Sequence, residues 1–273
     1  MLPKVISSEN PYILDRLEND LPALTRKNAE FIKGVVNLDS NYAKDLKITP
    51  PSSGYNPEIN VLKAGKLYCG STAYWFNEMS KPESNFSYCV LGAIIAIDTT
   101  NSTHLESAKN GRSIMRDRIC EVCTNSSDLL HKLNIPFTPN DDQHLIRILT
   151  KETPSTKKGE YRTNLSFASK FCANASRFLK GDFEYSKYDN VVSDALPKFM
   201  FTYLNEKKNT KEYSRNGKPK KQEEYTPWLM NLYDKYSKDI QRIINYLSTE
   251  GIQITREELD QIIWYGMKGS NNN

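Results

Sequence analysis

The chain has 273 residues, of which 38% are hydrophobic and 26% charged, with a formal net charge of +4. That composition excludes an intrinsically disordered chain, and no apolar run reaches the ~20 residues of a membrane-spanning helix. The opening MLPKVISSENPY carries no leader pattern, so the five scattered cysteines do not suggest a disulfide scaffold and a cytoplasmic location is expected.

Up to about residue 60, short helical patterns alternate with loops. SENPYILDRLENDLPAL (8–24) opens on a Ser/Asn cap signal followed by spaced apolar positions. ITPPSSGYNPE (48–58) is rich in turn formers and predicts a loop. LYCGSTAYWFNEM (67–79) crowds Tyr68, Tyr74, Trp75 and Phe76, which suit a core or the lining of a base pocket. YCVLGAIIAI (88–97) predicts a buried strand or a core helix.

From Glu106 onward the pattern is helical. SIMRDRICEVC (113–123) sets Ile114, Met115, Ile119, Val122 and Cys123 at helix spacing. Cys120 and Cys123 form one C-x-x-C with no second pair, and His104, His131 and His144 lack finger spacing to it. They are read as two cysteines on a packed helix, with no metal and no cofactor expected. NDDQHLIRILTK (140–151) predicts a helix capped by Asn140 with two acids in its first turn. The polar stretch ETPSTKKGEYRT (152–163) separates it from the next helix.

In that helix Ala168, Phe171, Cys172, Ala175, Phe178 and Leu179 form one apolar face. Lys170, Asn174 and Arg177 fall opposite, so Lys170 is expected to face water or a cleft. Gly181 suits a left-handed cap. TPWLMNLYDKYSKDIQRIINYL (226–247) predicts a long helix with Thr226 as cap and Pro227 as first helical residue, and TREELDQIIWYGM (255–267) opens with Thr255 and Glu258 in capping-box spacing. The expected fold is mostly α, with a few strands in the N-terminal part. The expected division is an N-terminal mixed subdomain (1–104) and a helical domain (105–273).

Charge is uneven. The segment from Lys207 to Lys221 holds seven basic residues and one acidic one, and Lys157, Lys158 and Arg162 form a shorter cluster. Such clusters neutralise phosphates and release counterions. Lys218, Lys220 and Lys221 are the candidates for phosphate contact in the longer one.

FASK, ending in Lys170, and KYDNVV, containing Asp189, lie nineteen positions apart. VVSDALPKF follows the aspartate as a helix, and ELDQIIWYG closes the chain. Over residues 105–268 this pattern resembles the helix-hairpin-helix DNA glycosylases, above all the 8-oxoguanine branch and its bacterial members. The resemblance implies a helix-hairpin-helix helical bundle, Lys170 as nucleophile and Asp189 as the carboxylate beside the sugar. Where the family hairpin carries glycines, this chain reads Leu165, Ser166, Phe167, Ala168, so phosphate contacts would fall to Ser166 and Ser169. Tyr188 and Val191 replace the family's proline and histidine around the aspartate. Trp264, Tyr265, Trp228 and Tyr74 are the candidates for stacking on a flipped base.

The pairing has a chemical reason. Breaking an N-glycosidic bond builds positive charge on the sugar, which a carboxylate stabilises. An amine attacking the same carbon forms a Schiff base and permits later strand cleavage. The resemblance therefore implies a monomeric glycosylase on double-stranded DNA, with an associated lyase step and no membrane partner. Its substrate would be an oxidised guanine or a hypermodified phage base, the latter in anti-phage defence. The alternative is a non-catalytic nucleic-acid-binding protein in which Asp189 only caps its helix.

Overall fold

The computed structural model describes residues 2–7, 14–36, 72–101, 103–105, 108–157, 160–182, 184–215, 219 and 222–270. Among these the chain is mostly helical, with two short antiparallel strand pairs. It folds as two compact units. The first gathers 1–69, 189–214 and 238–273, and the second 70–188 and 215–237.

In the first unit, β1 (Val5–Ile6) pairs with β2 (Arg16–Leu17). The helical pattern over 8–24 therefore does not form a helix across 14–25. Residues 8–13 lie outside the described residues. Asp20 turns with φ 63°, and Asn28 knits the stretch from outside. The Asn28 side chain accepts from the Asp15 N–H at 2.9 Å and donates to the carbonyls of Asp15 at 2.9 Å and Ala23 at 2.7 Å. A buried amide thus satisfies backbone groups that a helix would otherwise satisfy itself. The ITPPSSGYNPE loop and Tyr68 lie outside the described residues.

Helix α1 (Arg26–Val36) packs on the C-terminal helix, as does the helix that follows Asp189. The C-terminal helix has the expected capping box: Glu258 N–H reaches Thr255 Oγ1 at 3.2 Å, and Thr255 N–H reaches Glu258 Oε2 at 2.8 Å. Its Gly266 lies against Pro22, where a Cβ would come within 2.5 Å of the ring.

The second unit opens with α2 (72–79) and α3 (Phe86–Asn101), so YCVLGAIIAI is a core helix. Gly92 of α3 lets the Trp75 indole lie on its backbone: a Cβ there would meet the ring-fusion carbons at 2.3–2.4 Å. The expected division at 104/105 falls inside this unit. The buried Asp98 carboxylate explains why the chain does not part there. It accepts from Thr103 Oγ1 at 2.6 Å, Leu105 N–H at 2.8 Å and Arg112 Nε at 2.8 Å.

Helices α4 (Gly111–Val122), α5 (Ser126–Leu133) and α6 (Leu145–Thr150) follow. Met115, Ile119 and Cys123 are buried as their spacing predicts, while Ile114 and Val122 are only half-buried. Burial pushes the Cys123 thiol up to about 12, which suits packing rather than reactivity. No metal-binding cluster exists among the described residues.

Helix α6 begins at Leu145, not after Asn140, and its cap is His144, whose Nδ1 accepts from Ile146 N–H at 3.3 Å. Asp141 instead closes a turn by accepting from Gln143 N–H at 2.8 Å. The polar stretch after α6 holds the second strand pair, β3 (Thr153–Pro154) with β4 (Tyr161–Arg162), outside the N-terminal part where strands were expected.

His144 is fully buried. With Nδ1 accepting, its proton sits on Nε2, 3.4 Å from the Tyr185 hydroxyl, which itself donates to the Leu133 carbonyl at 2.8 Å. Burial lowers the imidazole pKa below the usual 6.5, against the opposing pull of Asp141. The unfolded chain therefore binds this proton at a higher pH than the folded one. Stability is full above about pH 6.5 and falls by up to about 1.4 kcal/mol per pH unit below it, until the folded pKa is passed. Melting temperatures between pH 7.5 and 5.5 should show this fall in the wild type. His144→Asn, which keeps a capping acceptor but does not titrate, should flatten it.

Candidate active site

Lys170 lies on α7 (Leu165–Ala175) in the second unit. Its expected exposure is not found: the residue is 5% exposed, and Asn174, on the same face, is 7% exposed. Of the expected apolar face, Ala168, Phe171, Cys172 and Ala175 are fully buried, while Phe178 and Leu179, beyond the α-helix, are half-buried. The opposite face is buried too, because α7 is packed from more than one side. Helices α3 and α6 both lie against it, and Phe76 of α2 meets the Phe171 ring at 5.5 Å. An amphipathic pattern records only which face is most apolar, and a helix at the centre of a unit buries its polar face as well. Asn174 Nδ2 donates to the Lys170 carbonyl at 2.8 Å. The helix then widens into a π-turn (Ser176–Lys180) and stops at Gly181, whose φ of 77° is the expected left-handed cap.

Asp189 belongs to the first unit and is the N-cap of α8 (Asn190–Leu204). Its Oδ1 accepts from Val191 N–H at 2.9 Å. The side chain is half-buried. Asp194, further along the same helix, has its carboxyl pKa raised by partial burial first and by the charge of Asp189 second. A helix N-terminus favours a carboxylate at this position.

The four residues before Asp189 have no regular secondary structure, yet each is tied down inside the second unit. Tyr185 donates to the Leu133 carbonyl at 2.8 Å. The Ser186 carbonyl accepts from Tyr233 Oη at 2.9 Å, and the Lys187 carbonyl from Tyr236 Oη at 2.9 Å. The Tyr188 N–H donates to Ser169 Oγ at 2.9 Å. Tyr233 and Tyr236 belong to α9 (Tyr225–Thr249). That helix starts slightly before the expected Thr226 and is preceded by a 3-10 turn (Gln222–Glu224). Sequence reasoning missed these tyrosines, although Tyr233, Tyr236 and Ser237 share the i, i+3, i+4 spacing of one helix face.

The phosphate-binding candidates separate. Ser169 is fully buried, donating to the Ser166 carbonyl at 3.2 Å and accepting from Tyr188. Both roles of its hydroxyl are used inside the unit, which removes it from a phosphate-binding surface. Ser166 is half-buried and Lys157 is exposed. Arg162 donates to the His104 carbonyl at 2.7 Å. Lys158, Lys218, Lys220 and Lys221 lie outside the described residues. In the described part of the long basic segment, Lys208 lies 3.6 Å from Glu206 and 3.5 Å from Asp239. Arg242 bridges the same two carboxylates, and Tyr213 Oη donates to Asp239 at 2.6 Å. This network ties the segment to the second half of α9 rather than leaving all its charge to solvent.

The four aromatic candidates are divided between the two units. Trp264 and Tyr265 lie on α10 (Arg256–Ser270) in the first unit, with rings edge to face at 4.9 Å, and Tyr265 is buried. Trp228 and Tyr74 belong to the second unit. Trp228 is stacked on Tyr225 at 5.6 Å, while Tyr74 is exposed and meets the edge of Trp75 at 5.1 Å. No helix among the described residues is long and apolar enough to cross a membrane. Comparison of the chain with protein-family models, with curated proteins and with solved structures finds no significant match.

Proposed function

We propose that this protein is a DNA glycosylase of the helix-hairpin-helix type, releasing a damaged or modified base, with Asp189 stabilising the charge that develops on the sugar. In this reading Lys170 is the amine nucleophile of an associated lyase step. The supporting observation is the hydrogen bond from Tyr188 N–H to Ser169 Oγ at 2.9 Å. Within the second unit it joins Tyr188 and Ser169, the residues that precede Asp189 and Lys170 in the chain. A carboxylate whose oxygen accepts from a backbone N–H at a helix start is oriented for electrostatic work.

A second reading is favoured by one specific bond. Asp189 Oδ1 accepts from Val191 N–H, which is the ordinary work of an N-cap. In this second reading Asp189 only caps its helix, and the protein binds nucleic acid without releasing a base. The two readings differ in product. Purified full-length chain is incubated with a panel of duplexes carrying 8-oxoguanine, other oxidised or alkylated bases, and glucosylated hydroxymethylcytosine. Released base is then measured by mass spectrometry. The glycosylase reading expects release from at least one duplex, and salt-sensitive binding without any release leaves the binding-protein reading.

A further inference from the structure

We infer that Tyr233, Tyr236 and Ser169 are positioning residues that hold the backbone leading into Asp189, a role that rests on the glycosylase reading of that carboxylate. The segment 185–188 has neither helix nor strand to satisfy its backbone groups. Such groups, when buried, must find partners. Here the partners are hydroxyls. Tyr233 and Tyr236 are almost fully buried, and their phenols reach the successive carbonyls of Ser186 and Lys187. Ser169 receives the next donor, Tyr188 N–H, and Ser186 Oγ lies 3.3 Å from Ser237 Oγ.

Tyr233 and Tyr236 are three residues apart and so are neighbours on one face of α9, from which they reach two consecutive carbonyls. The Tyr188 ring adds to the clamp by meeting the Tyr236 ring edge-on at 5.2 Å. Two consecutive peptide groups before Asp189 are thereby fixed from α9 and α7. A carboxylate at the end of so constrained a segment has little freedom to move away from its working position, and a misplacement of about 1 Å is enough to cost a reaction about a hundredfold. Phenylalanine in place of either tyrosine would fill the same space. The hydroxyls therefore carry the positioning.

The test uses the full-length protein and the variants Tyr236→Phe, Ser169→Ala and Tyr233→Phe. In the free protein, hydrogen exchange of the peptide covering 185–192 should quicken about tenfold or more in the first two variants. It should quicken less in Tyr233→Phe, whose bond lies one residue further from Asp189, while peptides within α7 and the second half of α9 keep their wild-type rates. Uniform quickening across the chain, or none at 185–192, overturns the clamp. On the duplex from which the wild type releases base, single-turnover excision at saturating protein should fall about ten- to a hundredfold with DNA affinity unchanged. Wild-type excision despite a loosened segment overturns the positioning role. If the wild type releases no base from any duplex, the glycosylase reading has failed, and the positioning role with it. The exchange measurement then still decides whether the hydroxyls hold the segment.

Discussion

Asp189→Asn is expected to fold and melt almost as the wild type does, to bind DNA, and to lose base excision by about a hundredfold or more, the scale of removing one electrostatic stabiliser. The reason lies in what the substitution keeps. Asp189 uses Oδ1 to accept from Val191 N–H at 2.9 Å. Asparagine retains that oxygen, and asparagine and aspartate cap helices about equally well. The start of α8 should therefore persist, and only the negative charge is lost. As the glycosidic bond breaks, the departing base takes the bonding electrons and the sugar is left as a cation. That cation is what the missing charge would have stabilised. A pure capping role expects neither melting nor excision to change. Melting temperature and single-turnover excision on the same variant are the measurements. Near-normal excision would remove Asp189 from the reaction and, with it, the main support for a glycosylase.

Lys170→Met is expected to abolish borohydride trapping of a covalent protein–DNA adduct. In the reaction proposed, the lone pair of the Lys170 nitrogen bonds to the sugar carbon, the base leaves with the old bond's electrons, and one amine proton passes to the base. The ring C–O bond then breaks, and its electrons go to the ring oxygen, which takes a proton from water. The nitrogen lone pair forms the C=N of an iminium that keeps one N–H and that hydride from borohydride reduces to a stable amine. Without the nitrogen no adduct can form. Methionine is chosen because Lys170 is only 5% exposed, and a buried aliphatic stem contributes packing as well as an amine. Lys170→Ala would empty that space and confuse instability with lost chemistry. Trapping that persists in Lys170→Met would assign the nucleophile to another amine. Base release with no adduct in the wild type would make water the attacker.

Burial gives Lys170 and Asp189 different standing. Asp189 is half-buried at the start of a helix, where its Oδ1 caps the Val191 N–H. Lys170 sits in a helix whose residues are all buried except the half-buried Ser166. A lysine in that setting is costly to maintain unless its surroundings serve it. The Lys170 substitution is therefore the more exposed to structural side effects. Its trapping assay must be read together with a melting curve.

Several local elements were legible in the sequence. The capping box of Thr255 and Glu258, the stop at Gly181, the cap at Asp189 and the helical character of 191–199 are all present. Each depends on atoms within a few residues of one another, so residue type and spacing are sufficient to specify it. What the sequence left open or misread depends on partners far along the chain. Asn28 takes over the backbone groups of Asp15 and Ala23, and a helical pattern becomes a strand and turn. Asp98 holds Thr103 and Leu105 against the end of α3. Helix α7 is packed from several sides, so the face that carries Lys170 is buried against expectation. The hydroxyls that hold 185–188 come from positions 169, 233 and 236, up to 49 residues away. The sequence alone determined the helix ends at Gly181, Asp189 and Thr255, because capping is chemistry between near neighbours. Only the tertiary structure decided which polar faces are buried and which backbone is held, because those depend on side chains that meet only after the chain has folded.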